Sequence, residues 1–278
     1  MTEPTVGTLR VNGATLRYEV RGQGPLLLLI PGGTGGATSL TSAATDLADS
    51  RTVVTYDPRG MGASTLDDPE AEQRAEEHAE DALRLLDLLS PSPEAPAQVF
   101  GSSSGAIVAL HLLLAHPERV SRVVAHEPPV VEVLPDAATH RALLARVQET
   151  LRDQGVMPAM AVFAAGLRKD GDTTAPPTEL PPQAAERAEQ TLGDLPYFIR
   201  RIVPGFMSYA PDIARLEALS DRLVLACGED SRGELPYRPA AFLAERLGKE
   251  LHHFPGGHIG LTTHPSEFTE HLRKALLA

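Results

Sequence analysis

The sequence of 278 residues has few of the features that mark several protein classes. It contains one cysteine, Cys227, so no disulfide can form within the chain, as expected in a reducing compartment. Tryptophan is absent, and aromatic residues make up 4% of the chain. The longest run of large aliphatic residues, Leu26–Ile30, is far too short to span a bilayer, and the first residues lack the basic and apolar regions of a secretory signal. These absences favour a cytoplasmic protein.

The sequence also has no excess of basic residues. It contains 37 Asp and Glu residues against 25 Lys and Arg residues, which gives a net charge of −12. Nucleic-acid binding requires a basic face, and an acidic surface disfavours anionic membranes, so we expect neither partner. Since no His, Cys or carboxylate cluster has the spacing of metal ligands, we expect no metal and no other cofactor. The expected partner is a small-molecule substrate, and the oligomeric state stays open.

Short apolar runs alternate with amphipathic segments along most of the chain. Residues 8–20 alternate in polarity around Asn12-Gly13, which predicts a hairpin. Continuous apolar runs predict strands that are buried on both faces. The predicted strands are 26–30, 52–56, a run before Gly101, 121–125, 222–226 and 250–254. The predicted helices are 38–49, 70–89, one that ends near 116, 137–153, 158–168, 184–192, 195–203, 238–247 and 265–277.

This alternation predicts an α/β fold with a mostly parallel central sheet flanked by helices. Between residues 130 and 212 the strand-like runs disappear, and helical stretches are joined by links rich in Pro and Gly. We therefore expect a core formed by residues 1–129 and 213–278, with residues 130–212 as an inserted segment.

The central pattern of the chain is Gly-x-Ser-x-Gly around Ser103, between an apolar strand and a helix. A sharp turn from strand to helix holds its central residue in a strained conformation and lifts that side chain clear of the sheet. Gly101 and Gly105 meet a steric need, because a Cβ at either position would collide where the strand and the helix cross. The pattern therefore predicts a nucleophilic serine at position 103. The simpler alternative is a tight turn of small residues.

Other predicted strands also end in residues that carry chemistry. Gly33, Asp230 (or Glu127) and His258 all follow strands, and ligands of open parallel sheets bind beyond the carboxyl ends of the strands. A serine hydroxyl needs a base to take its proton, and a histidine can accept that proton and return it to the leaving group. An acid orients the imidazole and stabilises its charged form.

With these motifs in this order, the sequence resembles the α/β-hydrolase superfamily over nearly its whole length. The matching pieces are the glycine loop Pro31-Gly32-Gly33-Thr34-Gly35-Gly36, the motif Asp57-x-Arg59-Gly60-x-Gly62-x-Ser64, the Ser103 turn, an acid after the strand at 222–226, and Gly257-His258 before the last helix. The resemblance implies a catalytic triad of Ser103, Asp230 and His258. We favour Asp230 for its place in the chain order and its strand spacing, and Glu127 is the alternative acid.

The resemblance also implies an oxyanion hole and a helical cap. The oxyanion donors would be the backbone amides of Gly33 and Ser104, with Thr34 as the neighbouring alternative. Pro31 stands where relatives often have histidine. Residues 130–212 would form the cap. Its candidate pocket residues are Met157, Met160, Phe163, Tyr197, Phe198, Phe206 and Met207, and the expected substrate contacts are Thr34, Met160, Phe163, Phe198 and Met207. The alternative for each is packing of the cap onto the core.

The expected function is hydrolysis of carboxylic esters or lactones of a small, partly apolar substrate through an acyl-enzyme at Ser103. A serine at this position sets the chain apart from the epoxide hydrolases and haloalkane dehalogenases of this fold, which use an aspartate. Two alternatives stay open. The same triad could act on amides, thioesters, carbon–carbon bonds or in perhydrolysis, or the chain could be a ligand-binding protein that kept the fold without turnover.

Overall fold

The computed structural model describes residues 3–90, 92, 95–169 and 188–277. Within these ranges a nine-stranded sheet runs in the order β1-β2-β4-β3-β6-β7-β8-β9, with β5 paired to β2. The strands are β1 (Thr5–Val11), β2 (Ala14–Arg21), β3 (Leu26–Ile30), β4 (Thr52–Tyr56), β5 (Thr65–Leu66), β6 (Ala97–Ser102), β7 (Val120–His126), β8 (Leu223–Gly228) and β9 (Leu251–Phe254). Neighbouring strands from β4 through β9 are parallel, and β2 is antiparallel to β1, β4 and β5. The predicted α/β class is confirmed.

The helices surround this sheet and form the segment between β7 and β8. They are α1 (Thr41–Leu47), α2 (Ala75–Leu89), α3 (Ser104–Ala115), α4 (Ala137–Gln154), α5 (Val156–Leu167), α6 (Ala188–Tyr197), α7 (Val203–Met207), α8 (Ile213–Ala218), α9 (Tyr237–Leu247), α10 (Gly260–Thr263) and α11 (Pro265–Ala275). A π-helical turn, Phe198–Ile202, joins α6 to α7. Helix α2 begins five residues later than predicted. The Asp68 carboxylate accepts a bond from Glu70 N in a turn, and Arg74, directly before the helix, has an extended backbone.

Two apolar layers, one on each face of the sheet, bury its central strands. One layer joins side chains such as Leu28 to α2, α3 and α9, and the other joins side chains such as Leu29 to α1 and α11. All five residues of β3 are buried, as the continuous apolar run predicts. The pairing of neighbouring strands sets the positions of the residues that follow each strand.

The parallel strands β3, β6, β7, β8 and β9 end at the same edge of the sheet. Their register pairs Ile30 with Gly101, Ser102 with His126, and Gly228 with Phe254. The loops that follow these strands therefore meet in space, although they are far apart in sequence. This edge carries the candidate site.

The described residues between β7 and β8 form helices with an apolar cluster of their own. Leu144 and Val147 of α4 pack there with Phe163 of α5, Ile199 and Met207. The predicted helices 137–153 and 158–168 correspond to α4 and α5. Residues 184–187 of the predicted helix 184–192 lie outside the described residues, and its remainder belongs to α6. We call the described residues 130–169 and 188–212 the inserted helices.

The motif after β4 joins the loops of this edge. Asp57 is buried, and its carboxylate accepts bonds from Ala37 N at 2.8 Å and Ala63 N at 3.1 Å. Arg59 forms a buried ion pair with Asp81, with both nitrogen–oxygen distances at 2.7 Å. These partners satisfy charges that would otherwise be costly to bury, so the motif positions the loops.

Candidate active site

Ser103 lies on the turn between β6 and α3 with strained backbone angles. Its φ of 53° and ψ of −122° are rare for a residue with a side chain, and its backbone N–H donates to His126 O at 2.9 Å. A Cβ on Gly101 would lie 2.2 Å from Gly105 O, and a Cβ on Gly105 would lie 2.4 Å from Pro31 O. The glycines therefore allow the close crossing, as the sequence pattern predicts.

His258 lies between Ser103 and a carboxylate. It follows β9 and the turn at Gly256-Gly257, and its Nε2 is 3.1 Å from Ser103 Oγ. Its Nδ1 is 2.6 Å from Glu127 Oε2. With Nδ1 protonated and bonded to the carboxylate, Nε2 is left as the acceptor that faces the serine hydroxyl.

Glu127 is held rigidly at the end of β7. Its side chain is fully buried, and its φ of 49°, directly before Pro128, is a strained conformation. Oε1 accepts a bond from Gly228 N at 2.9 Å and another from the Ser231 hydroxyl, which leaves Oε2 for His258. Burial acts to raise the pKa of Glu127, but the hydrogen bonds from His258 and Ser231 and the nearby positive charge outweigh it, so the pKa lies below its usual value.

The preference for Asp230 over Glu127 is corrected by this geometry, since Glu127 makes the contact with His258. Strand β8 runs to Gly228, two residues beyond its predicted end, and Asp230 N then bonds to Gly256 O at 3.0 Å. This carries the Asp230 side chain to the exposed rim of the turn. No hydrogen bond or ion pair joins the Asp230 carboxylate to His258, whose Nδ1 bonds to Glu127 instead.

The two predicted oxyanion donors lie together beside Ser103. Gly33 has a φ of 57° in a turn closed by a bond from Gly35 N to Gly32 O at 2.9 Å, and its own N–H donates to Ser104 Oγ at 3.0 Å. The N–H of Ser104, the first residue of α3, has no acceptor within the helix. It is therefore free to meet a negative oxygen, whereas the Gly33 amide already has a partner.

A cavity of about 600 Å³ opens above these groups, between the strand ends and the inserted helices. Ser103, Ser104 and His258 line its base. The predicted substrate contacts all line it: Thr34, Met160, Phe163, Phe198 and Met207. Among the described lining residues, His258 is the one ionisable side chain. The cavity is of the size that holds a drug-sized molecule, and its wall is mainly apolar.

Sequence reasoning missed several residues of this site. Ser231 and Gly228, which hold Glu127, carry no motif, and their role depends on how far β8 extends. Gln190 and Leu192 of α6 and Ile259 also line the cavity. Of the other candidate pocket residues, Phe206 lines the cavity, whereas Met157 is exposed and Tyr197 donates to Arg59 O at 3.1 Å. Helical periodicity could have identified Leu192 as a residue on an apolar helix face, but not that this face lines the cavity.

In the part of the chain that the structure describes, no group of three or more His, Cys, Asp or Glu side chains is arranged to hold a metal ion. No helix there combines the length and the apolar character needed to cross a membrane.

The comparisons with known proteins agree with this architecture. Residues 25–163 match the family model for the alpha/beta hydrolase fold. The chain is 36% identical over 274 residues to an uncharacterized hydrolase, YraK, of Bacillus subtilis, which covers 97% of this chain and 95% of the relative. It is 35% identical over 131 residues to a zearalenone hydrolase of Bionectria ochroleuca, which covers 46% of this chain and 48% of that protein.

Solved structures with low sequence identity share the fold. A thermophilic esterase from Thermogutta terrifontis superimposes with a TM-score of 0.74 at 19% identity, over 99% of this chain and 98% of that one. The family model, the full-length relative and the sheet topology agree, and the chain belongs to the α/β-hydrolase family.

Proposed function

We propose that this hydrolase cleaves carboxylic esters or lactones through an acyl-enzyme at Ser103. The observation that carries the proposal is the continuous chain of hydrogen bonds from Ser103 Oγ through His258 to the buried Glu127 carboxylate, at the base of the cavity. A nucleophile, a base and an orienting acid held within bonding distance are the parts that acyl transfer needs.

In the first half of the reaction, Ser103 Oγ attacks the carbonyl carbon of the substrate while His258 Nε2 accepts its proton. The imidazolium that forms is stabilised by Glu127, which keeps its negative charge and does not take the proton. The tetrahedral intermediate places its negative oxygen near the Ser104 amide, which has no acceptor within α3, and beside Gly33, whose N–H donates to Ser104 Oγ. As the intermediate collapses, His258 returns the proton to the departing alkoxide, and an ester bond to Ser103 remains.

In the second half, water replaces the alcohol. His258 takes a proton from the water, the hydroxide attacks the acyl-enzyme, and the acid is released as Ser103 recovers its proton. A lactone follows the same course, except that its alcohol stays attached to the acyl group. One triad therefore serves both substrate types.

The cavity wall favours an uncharged substrate. A charged group in this cavity would lose its hydration, and His258 is the one ionisable side chain among the described lining residues that could pair with it. Burying such a charge costs free energy. Aromatic and methionine side chains such as Phe163 and Met207 instead gain by covering an apolar acyl or alcohol part. We therefore propose neutral, largely apolar esters or lactones as substrates, with the inserted helices acting as the cap that closes over them.

The proposal is tested by labelling with an aryl fluorophosphonate followed by mass spectrometry of the intact and digested protein. The wild-type protein should gain one phosphonyl group at Ser103, and Ser103→Ala should gain none and lose ester turnover by a factor of about 10³ or more. The matched control is Ser121→Ala, which removes a hydroxyl at the far end of β7 and should label normally.

An inert wild-type protein with an intact fold would contradict the proposal and favour a ligand-binding role. A panel of neutral p-nitrophenyl esters, lactones, amides and thioesters, each with a carboxylated counterpart, then tests the bond type and the preference for neutral substrates. Faster turnover of the carboxylated esters would overturn the substrate assignment.

A further inference from the structure

The Ser104 hydroxyl accepts the hydrogen bond of Gly33 N–H, one of the two predicted oxyanion donors. Gly33 N–H donates to Ser104 Oγ at 3.0 Å, and both residues line the cavity beside Ser103. An amide has one hydrogen to donate. While this bond is made, the Gly33 amide cannot give a full hydrogen bond to the substrate.

The accepted bond leaves the hydroxyl proton of Ser104 available. A hydroxyl can accept a hydrogen bond and donate one at the same time. Among the described residues, the bond from Gly33 is the only hydrogen bond made by the Ser104 side chain. Ser104 starts α3, so its hydroxyl also lies in the first helical turn, where the aligned N–H groups favour negative charge.

We propose that the Ser104 hydroxyl is a catalytic residue, which donates a hydrogen bond directly to the oxyanion of the tetrahedral intermediate. Gly33 N–H holds Ser104 Oγ in place and, by donating to it, polarises its O–H bond. The hydroxyl keeps its proton throughout, so the step forms and breaks no covalent bond at Ser104. The oxyanion then meets two donors from one residue, the backbone N–H and the side-chain O–H of Ser104.

This inference rests on the proposed acyl transfer at Ser103. It predicts the opposite change in rate from an arrangement in which the Ser104 hydroxyl takes no part in the reaction. If the hydroxyl only blocked the Gly33 amide, its removal would free that amide for the oxyanion, and the rate would stay the same or rise. If the hydroxyl is the donor, its removal lowers the rate of every step that passes through a negative oxygen. The sign of the change therefore distinguishes the two arrangements.

The experiment compares wild type, Ser104→Ala, and the matched pair Ser104→Thr and Ser104→Val. Threonine and valine have nearly the same shape, and only threonine carries the hydroxyl. Two rates are measured for each protein: phosphonylation of Ser103 by the aryl fluorophosphonate, followed by intact mass, and turnover of a neutral p-nitrophenyl ester. Melting temperatures show that each variant is folded.

We expect Ser104→Ala to lower kcat by about 10²-fold with KM changed by less than about threefold, since the lost bond forms chiefly in the transition state. Ser104→Thr should exceed Ser104→Val in both rates by about 10-fold or more. If Ser104→Ala does not fold, the threonine and valine pair decides alone. Equal rates in that pair, or Ser104→Ala as fast as wild type, would overturn the inference while leaving acyl transfer at Ser103 intact. Wild type that fails to label Ser103 would overturn both.

Discussion

The ends of β7 and β8 each present a carboxylate to the same edge of the sheet, and only one of them reaches His258. Glu127 directly follows β7 and is fully buried, with Oε2 2.6 Å from His258 Nδ1. Asp230 follows β8 by two residues, and its side chain is exposed. The two strands are neighbours in the sheet, so proximity to the site does not separate the two residues.

The difference lies in what surrounds each carboxylate. Gly228 N, at the end of β8, and the Ser231 hydroxyl, in the turn that follows, donate to Glu127 Oε1. A buried charge is tolerated only when its lone pairs are satisfied, and these donors satisfy it. The end of β8 therefore supplies the support for an acid on β7. One strand provides the charge and its neighbour provides the groups that keep it ionised.

Replacing the buried Glu127 carboxylate should lower kcat more than any other change at these two strand ends. Glu127→Gln keeps the size of the side chain but removes its charge, so the amide no longer stabilises the imidazolium and can favour the wrong tautomer of His258. We expect kcat to fall by about 10²–10⁴-fold with a smaller change in KM, measured by steady-state hydrolysis of a neutral ester.

The matched control is Glu229→Gln, which removes the same charge from an exposed side chain at the end of β8. It should leave kcat within about twofold of wild type, as surface substitutions commonly do. Near-wild-type turnover by folded Glu127→Gln would contradict the role proposed for the buried carboxylate.

We expect an intermediate loss of activity when a hydrogen bond to the Glu127 carboxylate is removed and the carboxylate itself is kept. Ser231 is fully buried and donates to Glu127 Oε1, so Ser231→Ala removes one of the bonds that lower the pKa of Glu127. We expect kcat to fall by about two- to tenfold at neutral pH, and the free energy of unfolding to fall by about 1–3 kcal/mol. Enzyme kinetics and urea titration measure the two changes.

The direction of the accompanying pH effect follows from the sign of the pKa shift. With the lost bond, the pKa of Glu127 rises towards its usual value, so the carboxylate becomes protonated at a higher pH as acid is added. The kcat/KM of Ser231→Ala relative to wild type should therefore decrease further as the pH falls. A ratio that stays constant from pH 8 down to about pH 4, or that increases in acid, would contradict the support assigned to Ser231.

The contrast between the two strand ends also explains what sequence reasoning could predict. The strands were predictable because their apolar runs, such as Leu26–Ile30, can be buried only in the middle of a sheet. The turn at Ser103 was predictable because Gly101 and Gly105 have a steric reason to be glycine. Both signals are local, and each depends on a few consecutive residues.

The partner of His258 depends on a contact between distant segments and has no such local signal. Strand β8 ends two residues later than its apolar run suggests, because its pairing with β9 continues to Gly228 opposite Phe254. Beyond it, Glu229 N bonds to Phe254 O, the last residue of β9, and Asp230 N bonds to Gly256 O. That extension moves Asp230 to the rim and brings Ser231 to Glu127. Sequence spacing could narrow the acid to two residues, but the choice between them required the register of β8 against β9.

The smallest effect should come from the exposed carboxylate. Asp230→Asn changes an exposed side chain. The bond to Gly256 O is made by the backbone N–H of residue 230 and not by its carboxylate, so the substitution keeps that bond. The change leaves the hydrogen bonds of Glu127 and His258 in place, so we expect kcat and KM within about twofold of wild type and a stability change within about 0.5 kcal/mol. Parallel kinetics and thermal melts of Asp230→Asn and Glu127→Gln measure the contrast directly. A loss of kcat in Asp230→Asn comparable to that in Glu127→Gln would mean that the exposed carboxylate reaches His258 during turnover, and the division of roles between the two strand ends would fail.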